Sequence, residues 1–177
     1  LGEAISINLE NKANIIATEW QKNPWSEFNQ ATWVADYVAL LSNQLEFTLS
    51  KLVRPMATIG KPRPYFSESW RSLNSLNNIK VNIQAIQRLY LANGQGLDAL
   101  LRQKGLEDVA SRVTNQLESV LDNWPEEADL FNSLQTKEGY RSALSLRNKL
   151  EQLSYLFHDE VAVGLGVVVG FNATDGD

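Results

Sequence analysis

Apolar side chains near the start of the chain recur every three or four residues, which is the spacing of one face of an α-helix. Between Glu3 and Trp20 this face comprises Ile5, Leu9, Ala13, Ile16 and Trp20. The pattern predicts an amphipathic first helix. We expect it to end near Asn23-Pro24, because proline cannot continue the helical hydrogen-bond ladder.

A second apolar pattern begins after Asn29, a residue type that commonly caps helices. Its apolar positions are Trp33, Tyr37, Leu41, Leu45, Leu49 and Leu52. We expect this second helix to kink or end at Arg54-Pro55. The stretch from Gly60 to Tyr65 then contains one glycine and two prolines, so it predicts the main loop of the chain.

A third helix is predicted to start around Ser67 to Ser69. Its apolar positions are Trp70, Leu73, Leu76, Ile79, Ile83, Ile86 and Leu89. Its other face carries the short polar residues Ser72, Asn74, Ser75, Asn77, Asn78 and Asn82. Such side chains compete for backbone hydrogen bonds and are mediocre helix formers. A plain solvated face would use Glu, Lys and Gln instead, so this face is a candidate for contact with a ligand or another helix.

The rest of the chain predicts three more helices. Asn93 to Gly96 breaks the chain, a short helix covers Leu97 to Gln103, and Gly105 stands where a C′ cap belongs. The next helix runs from about Leu106 to Asn123, and the last runs from Thr136 to Val161 after a polar connection.

The fold class that these patterns predict is all-α. No segment shows the sustained period-two alternation of a β-strand, and short breaker-rich loops between helices are typical of an up-and-down helical bundle. We expect residues 1–177 to form a single helical-bundle domain.

Composition excludes several classes of function. Lysine and arginine total 16 against 21 acidic residues, and this net charge of -5 disfavours a nucleic-acid surface. The chain has no cysteine, which excludes disulfides, thiolate metal sites and cysteine nucleophiles. A single histidine excludes a two-histidine zinc helix within the chain. The longest apolar run, Val161 to Phe171, is well short of the roughly 20 residues that a membrane span needs.

Two blocks are more specific than a generic bundle requires. The first is Ser67-Glu68-Ser69-Trp70-Arg71-Ser72-Leu73-Asn74-Ser75-Leu76, followed by Asn78, Asn82 and Tyr90. The second is the terminus Gly170-Phe171-Asn172-Ala173-Thr174-Asp175-Gly176-Asp177. Together they resemble the imelysin-like family, in which a helix opening with a Glu-Ser-Trp-Arg-Ser type of sequence lies in the C-terminal half. Chains of that family commonly finish in Gly-Phe-Asn-x-x-Asp-Gly-Asp.

The resemblance covers essentially the whole chain but matches only the second half of a full-length imelysin-like protein. The chain opens at Leu1 without an initiator methionine, and we expect it to be a processed product or a fragment. The family hallmark, Gly-x-His-x-x-Glu, lies in the first half. It is not found around His158, where the required glycine and glutamate are both missing.

The resemblance implies an exported bacterial protein, periplasmic or anchored to the outer membrane as a lipoprotein, that serves iron uptake. It implies a metal or small ligand bound at a site shared with an N-terminal imelysin-like half, from the same precursor or a separate chain. Iron or another divalent metal is the cofactor implied for the complete protein. Two alternatives stay open: a metallopeptidase whose metal ligands lie upstream, and a purely structural interaction module.

The candidate ligand-binding residues come from the two blocks that carry the resemblance, and no catalytic residue is assigned. They are Glu68, Trp70, Arg71, Ser72, Ser75, Asn78, Asn82, Asn172, Asp175 and Asp177. The serine and asparagine positions recur every three or four residues, so they share one face that suits either a ligand cleft or a helix–helix seam. The terminal aspartates bring carboxylates close together beside Gly176, an arrangement that suits a cation.

Three other features have simpler structural explanations. His158, Asp159 and Glu160 are consecutive on a helix and cannot converge on one ion. Trp20, Trp33 and Trp70 fall on predicted apolar faces, which favours core packing. In the main loop, a small basic patch consists of Lys61 and Arg63 beside Tyr65, and it could attract an anion.

Overall fold

The computed structural model of the chain describes residues 2–23 and 25–168. Its α-helices are α1 (Gly2–Trp20), α2 (Gln30–Met56), α3 (Ser75–Leu91), α4 (Leu97–Gln103), α5 (Glu107–Asp122), α6 (Leu130–Ser133), α7 (Lys137–Tyr155) and α8 (Ala162–Leu165). A π-helix, Leu156–Val161, joins α7 to α8. No strand occurs in the described part of the chain, which confirms the all-α class. None of the helices in that part is both long and apolar enough to cross a membrane.

The chain divides into two compact units, Leu1–Asp36 and Tyr37–Asp177. The first unit contains α1 and the beginning of α2, and both helices were predicted. Asn29 caps α2 as expected, since its Oδ1 accepts a hydrogen bond from the backbone N–H of Thr32 at 2.9 Å. Core packing of Trp20 was a wrong prediction. None of the residues in α1 is buried, and the Trp20 ring instead meets Trp25 edge to face, with centroids 5.2 Å apart.

The second unit buries the apolar faces of its helices in a core that includes Leu41, Leu45, Leu52, Ile79, Ile83, Ile86, Val113, Leu117, Leu146, Leu150 and Leu153. Two polar contacts show the direction of α5 relative to α7. Gln116 Nε2 donates to the backbone oxygen of Lys149 at 2.8 Å. Arg112, earlier on α5, pairs with Glu160 beyond the end of α7 at 2.5 Å. The two helices therefore run antiparallel, as in an up-and-down bundle.

Local signals predicted the later helices closely. The bounds of α4 are as predicted, and Gly105 has φ +77°, the left-handed conformation that a C′ position favours. The prediction that the last helix starts at Thr136 is also confirmed. The Thr136 hydroxyl accepts a hydrogen bond from the backbone N–H of Gly139 at 3.0 Å, so Thr136 is the N-cap of α7.

Two elements differ from the prediction. The third helix begins at Ser75 rather than at Ser67 to Ser69, and a short helix, α6, lies in the segment predicted to be a polar connection. Asp129 caps α6 by accepting from the backbone N–H of Asn132 at 2.8 Å. A helix of four residues is too short to produce a periodic apolar pattern, so only the cap could have signalled it.

Stability at high pH is expected to depend on Tyr90. Burial, together with the Asp98 carboxylate, raises the pKa of the Tyr90 phenol above its ordinary value of 10.0. Above pH 10 an unfolded chain loses this proton while the folded chain keeps it, so the free energy of unfolding should fall by about 1.4 kcal/mol per pH unit from this group. Urea unfolding of wild type and Tyr90→Phe at pH 9 to 11.5 measures the difference. Equal slopes for the two proteins would contradict the assignment.

Candidate functional site

Three aromatic rings meet where the loop before α3 packs against α6. The centroid of Tyr65 lies 5.1 Å from that of Trp70 and 5.0 Å from that of Phe131, both in edge-to-face geometry. The rings of Trp70 and Phe131 stack at 5.6 Å. Such pairs contribute about 0.5–1.5 kcal/mol beyond burial. This aromatic cluster anchors the loop and leaves the Tyr65 side chain largely exposed.

Trp70 was predicted on the apolar face of the third helix, and that prediction was wrong. Residues Trp70–Ser72 form a 3₁₀ turn that stands before α3. Ser69 and Leu73, on either side of this turn, have φ of 54° and 53°. These values lie in the left-handed region, which residues other than glycine rarely adopt. Because of these two conformations, α3 does not extend back to Trp70. Trp70 therefore does not lie on the face of α3 that carries the buried Leu76.

Arg71 follows Trp70 on the exposed side of the turn. Its guanidinium carbon lies 4.2 Å from the centroid of the Trp70 ring, a cation–π contact. Glu68, three residues before Arg71, pairs with Lys51 of α2 at 3.1 Å. The charge of Glu68 is therefore compensated within the protein, whereas Arg71 has no ion pair with the described residues.

The side chains predicted to form one polar face bond mainly to each other. Asn78 Nδ2 donates to Ser69 Oγ at 3.1 Å, and Asn74 Nδ2 donates to Asn78 Oδ1 at 2.9 Å. Asn77 Nδ2 completes the network by donating to Asn74 Oδ1 at 2.9 Å. Ser72 Oγ donates to the backbone oxygen of Ser69 at 3.1 Å. This amide network holds the turn to the first residues of α3.

Ser75 and Asn82 lie apart from the network. Ser75 is fully buried, and its Oγ accepts a hydrogen bond from the backbone N–H of Leu130 at 3.1 Å, which joins α3 to α6. Asn82 is half-buried and its Nδ2 has no hydrogen-bond partner within the described structure. A buried amide left in this way costs about 1–3 kcal/mol. Ser75 thus lies in the buried contact between α3 and α6. Asn82 has a buried amide nitrogen without a hydrogen-bond partner among the described residues.

The other predicted ligand residues, Asn172, Asp175 and Asp177, lie outside the described residues. Within residues 2–23 and 25–168, no group of three or more histidine, aspartate or glutamate side chains could hold a metal ion. His158 instead pairs with Glu46, with Nε2 and Oε1 2.6 Å apart. The described residues do not fit a metal centre, because a stable site needs several converging ligands.

Sequence reasoning missed a second feature, a groove of about 560 Å³ between α5 and the junction of α7 with the π-helix. Gln116, Gln152 and Tyr155 contribute to its walls, and the Arg112–Glu160 pair closes one end. Its residues are distant in sequence and carry no motif. The local feature that marks this groove is the π-helix, an element often found at functional sites.

Comparison with known proteins identifies the family. The family model described as imelysin, peptidase M75, matches residues 1–157. No curated protein and no solved structure gives a significant match to the chain. The matched range includes the whole block from Glu68 to Asn82, together with every helix from α1 to α7. The chain belongs to the imelysin family.

Proposed function

We propose that this protein serves bacterial iron uptake as an exported binding protein. The proposed ligand is a metal complex or another small molecule, bound at the surface of Glu68, Trp70 and Arg71. An N-terminal imelysin-like half, from the same precursor or a separate chain, would complete the site. The location that we propose is the periplasm or the outer membrane, through a lipid anchor. Membership of the imelysin family supports this assignment.

The observation that carries the proposal is the turn that presents Arg71 over the ring of Trp70. Two residues other than glycine, Ser69 and Leu73, adopt left-handed conformations on either side of it. Leu73 is 43% exposed, so its strained backbone is not compensated by burial of its side chain. Strain of about 1–3 kcal/mol per residue persists where the surroundings enforce it, and it clusters at binding and catalytic sites.

The chemistry of this surface suits a chelated metal better than a bare ion. Glu68 is already paired with Lys51, so the exposed charge of the turn is the positive one of Arg71. Iron bound by a small chelator is surrounded by anionic oxygen atoms, since hard cations prefer oxygen ligands. Arg71, held over the ring of Trp70, would donate hydrogen bonds to that anionic shell.

Replacing Arg71 with alanine is expected to weaken uptake. A strain lacking the gene, complemented with Arg71→Ala, should accumulate radioactive iron from ferric citrate about tenfold more slowly than with wild type, because arginine often dominates binding energy. The matched control is Arg88→Ala, an exposed arginine on α3 outside the site. Immunoblots would establish equal protein levels. Equal uptake by Arg71→Ala and Arg88→Ala would contradict the proposal.

The partner proposal has its own test. Native mass spectrometry of the protein purified from its host would reveal a second polypeptide and any retained metal in one spectrum. A complex with an imelysin-like N-terminal half supports a shared site. A metal-free monomer of 19.9 kDa that binds ferric citrate through Arg71 would show that the second half is not needed.

A metallopeptidase is the second candidate, and the peptidase M75 description of the matched family favours it. Its metal ligands would have to come from outside the described residues, since these hold no suitable cluster. The discriminating measurement is cleavage of a protein substrate by the complete protein, with and without a chelator. Cleavage that the chelator abolishes and metal restores would support the peptidase over the binding protein.

A further inference from the structure

A second groove, of about 490 Å³, lies between the loop that follows α2 and the first turns of α7. Its lining includes the apolar side chains of Ile59, Pro62, Leu134 and Leu144. Ile59 is 77% exposed although it is a large aliphatic residue. The groove contains none of the residues Glu68, Trp70 and Arg71, so an inference about it does not rest on the proposed function.

The loop that forms one wall is held by backbone hydrogen bonds. The N–H of Lys61 donates to the oxygen of Thr58 at 2.9 Å, and the N–H of Arg63 donates to the oxygen of Pro55 at 2.8 Å. The other wall is a regular helix, α7. Both walls are therefore ordered before any ligand arrives, which lowers the entropic cost of binding.

The charges of the groove have one sign. Lys137 and Arg141 line it four residues apart, on the same face of α7. Neither forms an ion pair with the described residues. No aspartate or glutamate from the described part of the chain lines the groove. Like charges at this spacing disfavour a helix. An anion between the two side chains would remove that repulsion, in a protein whose overall net charge is -5.

We propose that this groove binds a small organic anion with an apolar body. Its carboxylate or sulfonate would pair with Lys137 and Arg141, and its body would lie on Ile59, Pro62, Leu134 and Leu144. The volume is within the range of about 300–1,000 Å³ that small-molecule pockets occupy. A stable protein partner would instead cover about 800 Å² of surface.

The test uses the full chain and 1-anilinonaphthalene-8-sulfonate, a fluorescent anion with an aromatic body. We expect saturable binding to a single site. The double variant Lys137→Glu/Arg141→Glu should raise the dissociation constant about tenfold or more, because it replaces attraction by repulsion. The control, Arg88→Glu/Lys104→Glu, makes the same change in net charge at exposed positions outside the groove and should shift it less than about twofold.

A second variant tests the groove even if the first variant fails to fold. Ile59 is already exposed, so Ile59→Ser should leave the circular dichroism spectrum unchanged while weakening binding about threefold, through loss of apolar contact. Competition then tests the requirement for charge. 1-Naphthoate should displace the probe, and the neutral 1-naphthalenemethanol should not at the same concentration.

Three results would overturn the inference. The first is the absence of saturable binding to the wild-type protein. The second is equal weakening by the two charge-reversing double variants, which would mean that the probe senses net charge alone. The third is equal displacement by the anionic and neutral competitors, which would mean that the groove is an apolar surface without anion recognition.

Discussion

Phe157→Ala is expected to lower the free energy of unfolding by about 4 kcal/mol, the typical cost of removing a fully buried phenylalanine. Phe157 has no exposed surface and belongs to the π-helix that follows α7. Its ring meets that of Tyr90 edge to face, with centroids 5.9 Å apart. The substitution therefore removes apolar contacts and an aromatic pair together, and it leaves a cavity between α3 and the π-helix.

Urea unfolding followed by circular dichroism at 222 nm measures this loss. The control is Tyr155→Ala, an aromatic residue nearby in the chain whose side chain is 58% exposed. We expect the control to change stability by less than about 1 kcal/mol, because it creates no cavity. Similar losses for the two variants would mean that Phe157 does not occupy the core position described above.

Gly139→Ala is the second substitution with a large expected effect. An alanine Cβ at this position would lie 2.1 Å from the backbone oxygen of Ser133 and 2.7 Å from its carbonyl carbon. Neither contact involves a side chain that could move aside, so α6 would have to shift away from α7. We expect a loss of about 3 kcal/mol in the free energy of unfolding. Inside a helix, glycine to alanine ordinarily stabilises by about 1 kcal/mol, so even the sign of the change is diagnostic.

Gly164→Ala is the matched control for this prediction. It is also a helical glycine, but its added Cβ would meet only the end of the Leu106 side chain, at 3.0 Å. Because that side chain can rotate, we expect a change of less than about 1 kcal/mol. If Gly139→Ala proved as mild as Gly164→Ala, the close approach of α6 to α7 would be refuted.

The helices were predictable where a local signal marked their ends. Asn29 and Thr136 accept hydrogen bonds from the first turn of α2 and α7, and Gly105 adopts the left-handed conformation beyond α4. Each signal depends on a side chain or conformation within a few residues of the helix end. Such interactions persist in almost any tertiary context, which is why the bounds of these helices were close to the prediction.

The start of α3 was not predictable in the same way. Apolar spacing continues backward through Leu73 and Trp70, and it predicted helix there. In the structure, Trp70 instead packs against Tyr65 and Phe131. Tertiary packing of this kind overrides local helix propensity, which amounts to less than about 1 kcal/mol per residue.

The candidate site was predictable in part. The sequence block from Glu68 to Asn82 indicated the imelysin family, and the family match confirms that resemblance. The residues of this block occupy different environments in the structure, however. Arg71 is exposed over Trp70, Ser75 is buried against α6, and Asn82 faces the interior. Periodicity places residues on a common face but does not say how much of that face another element covers.

By itself, the sequence determined the all-α class, most helix bounds and the family, because these depend on periodic patterns, local caps and motifs that need no partner. Only the tertiary structure decided which distant residues meet. The aromatic cluster, the Ser75–Leu130 hydrogen bond and the groove beside Lys137 and Arg141 all join separate elements. An apolar pattern specifies that a helix face is buried, but the complementary shapes of its neighbours select the partner, and one sequence pattern does not encode those shapes.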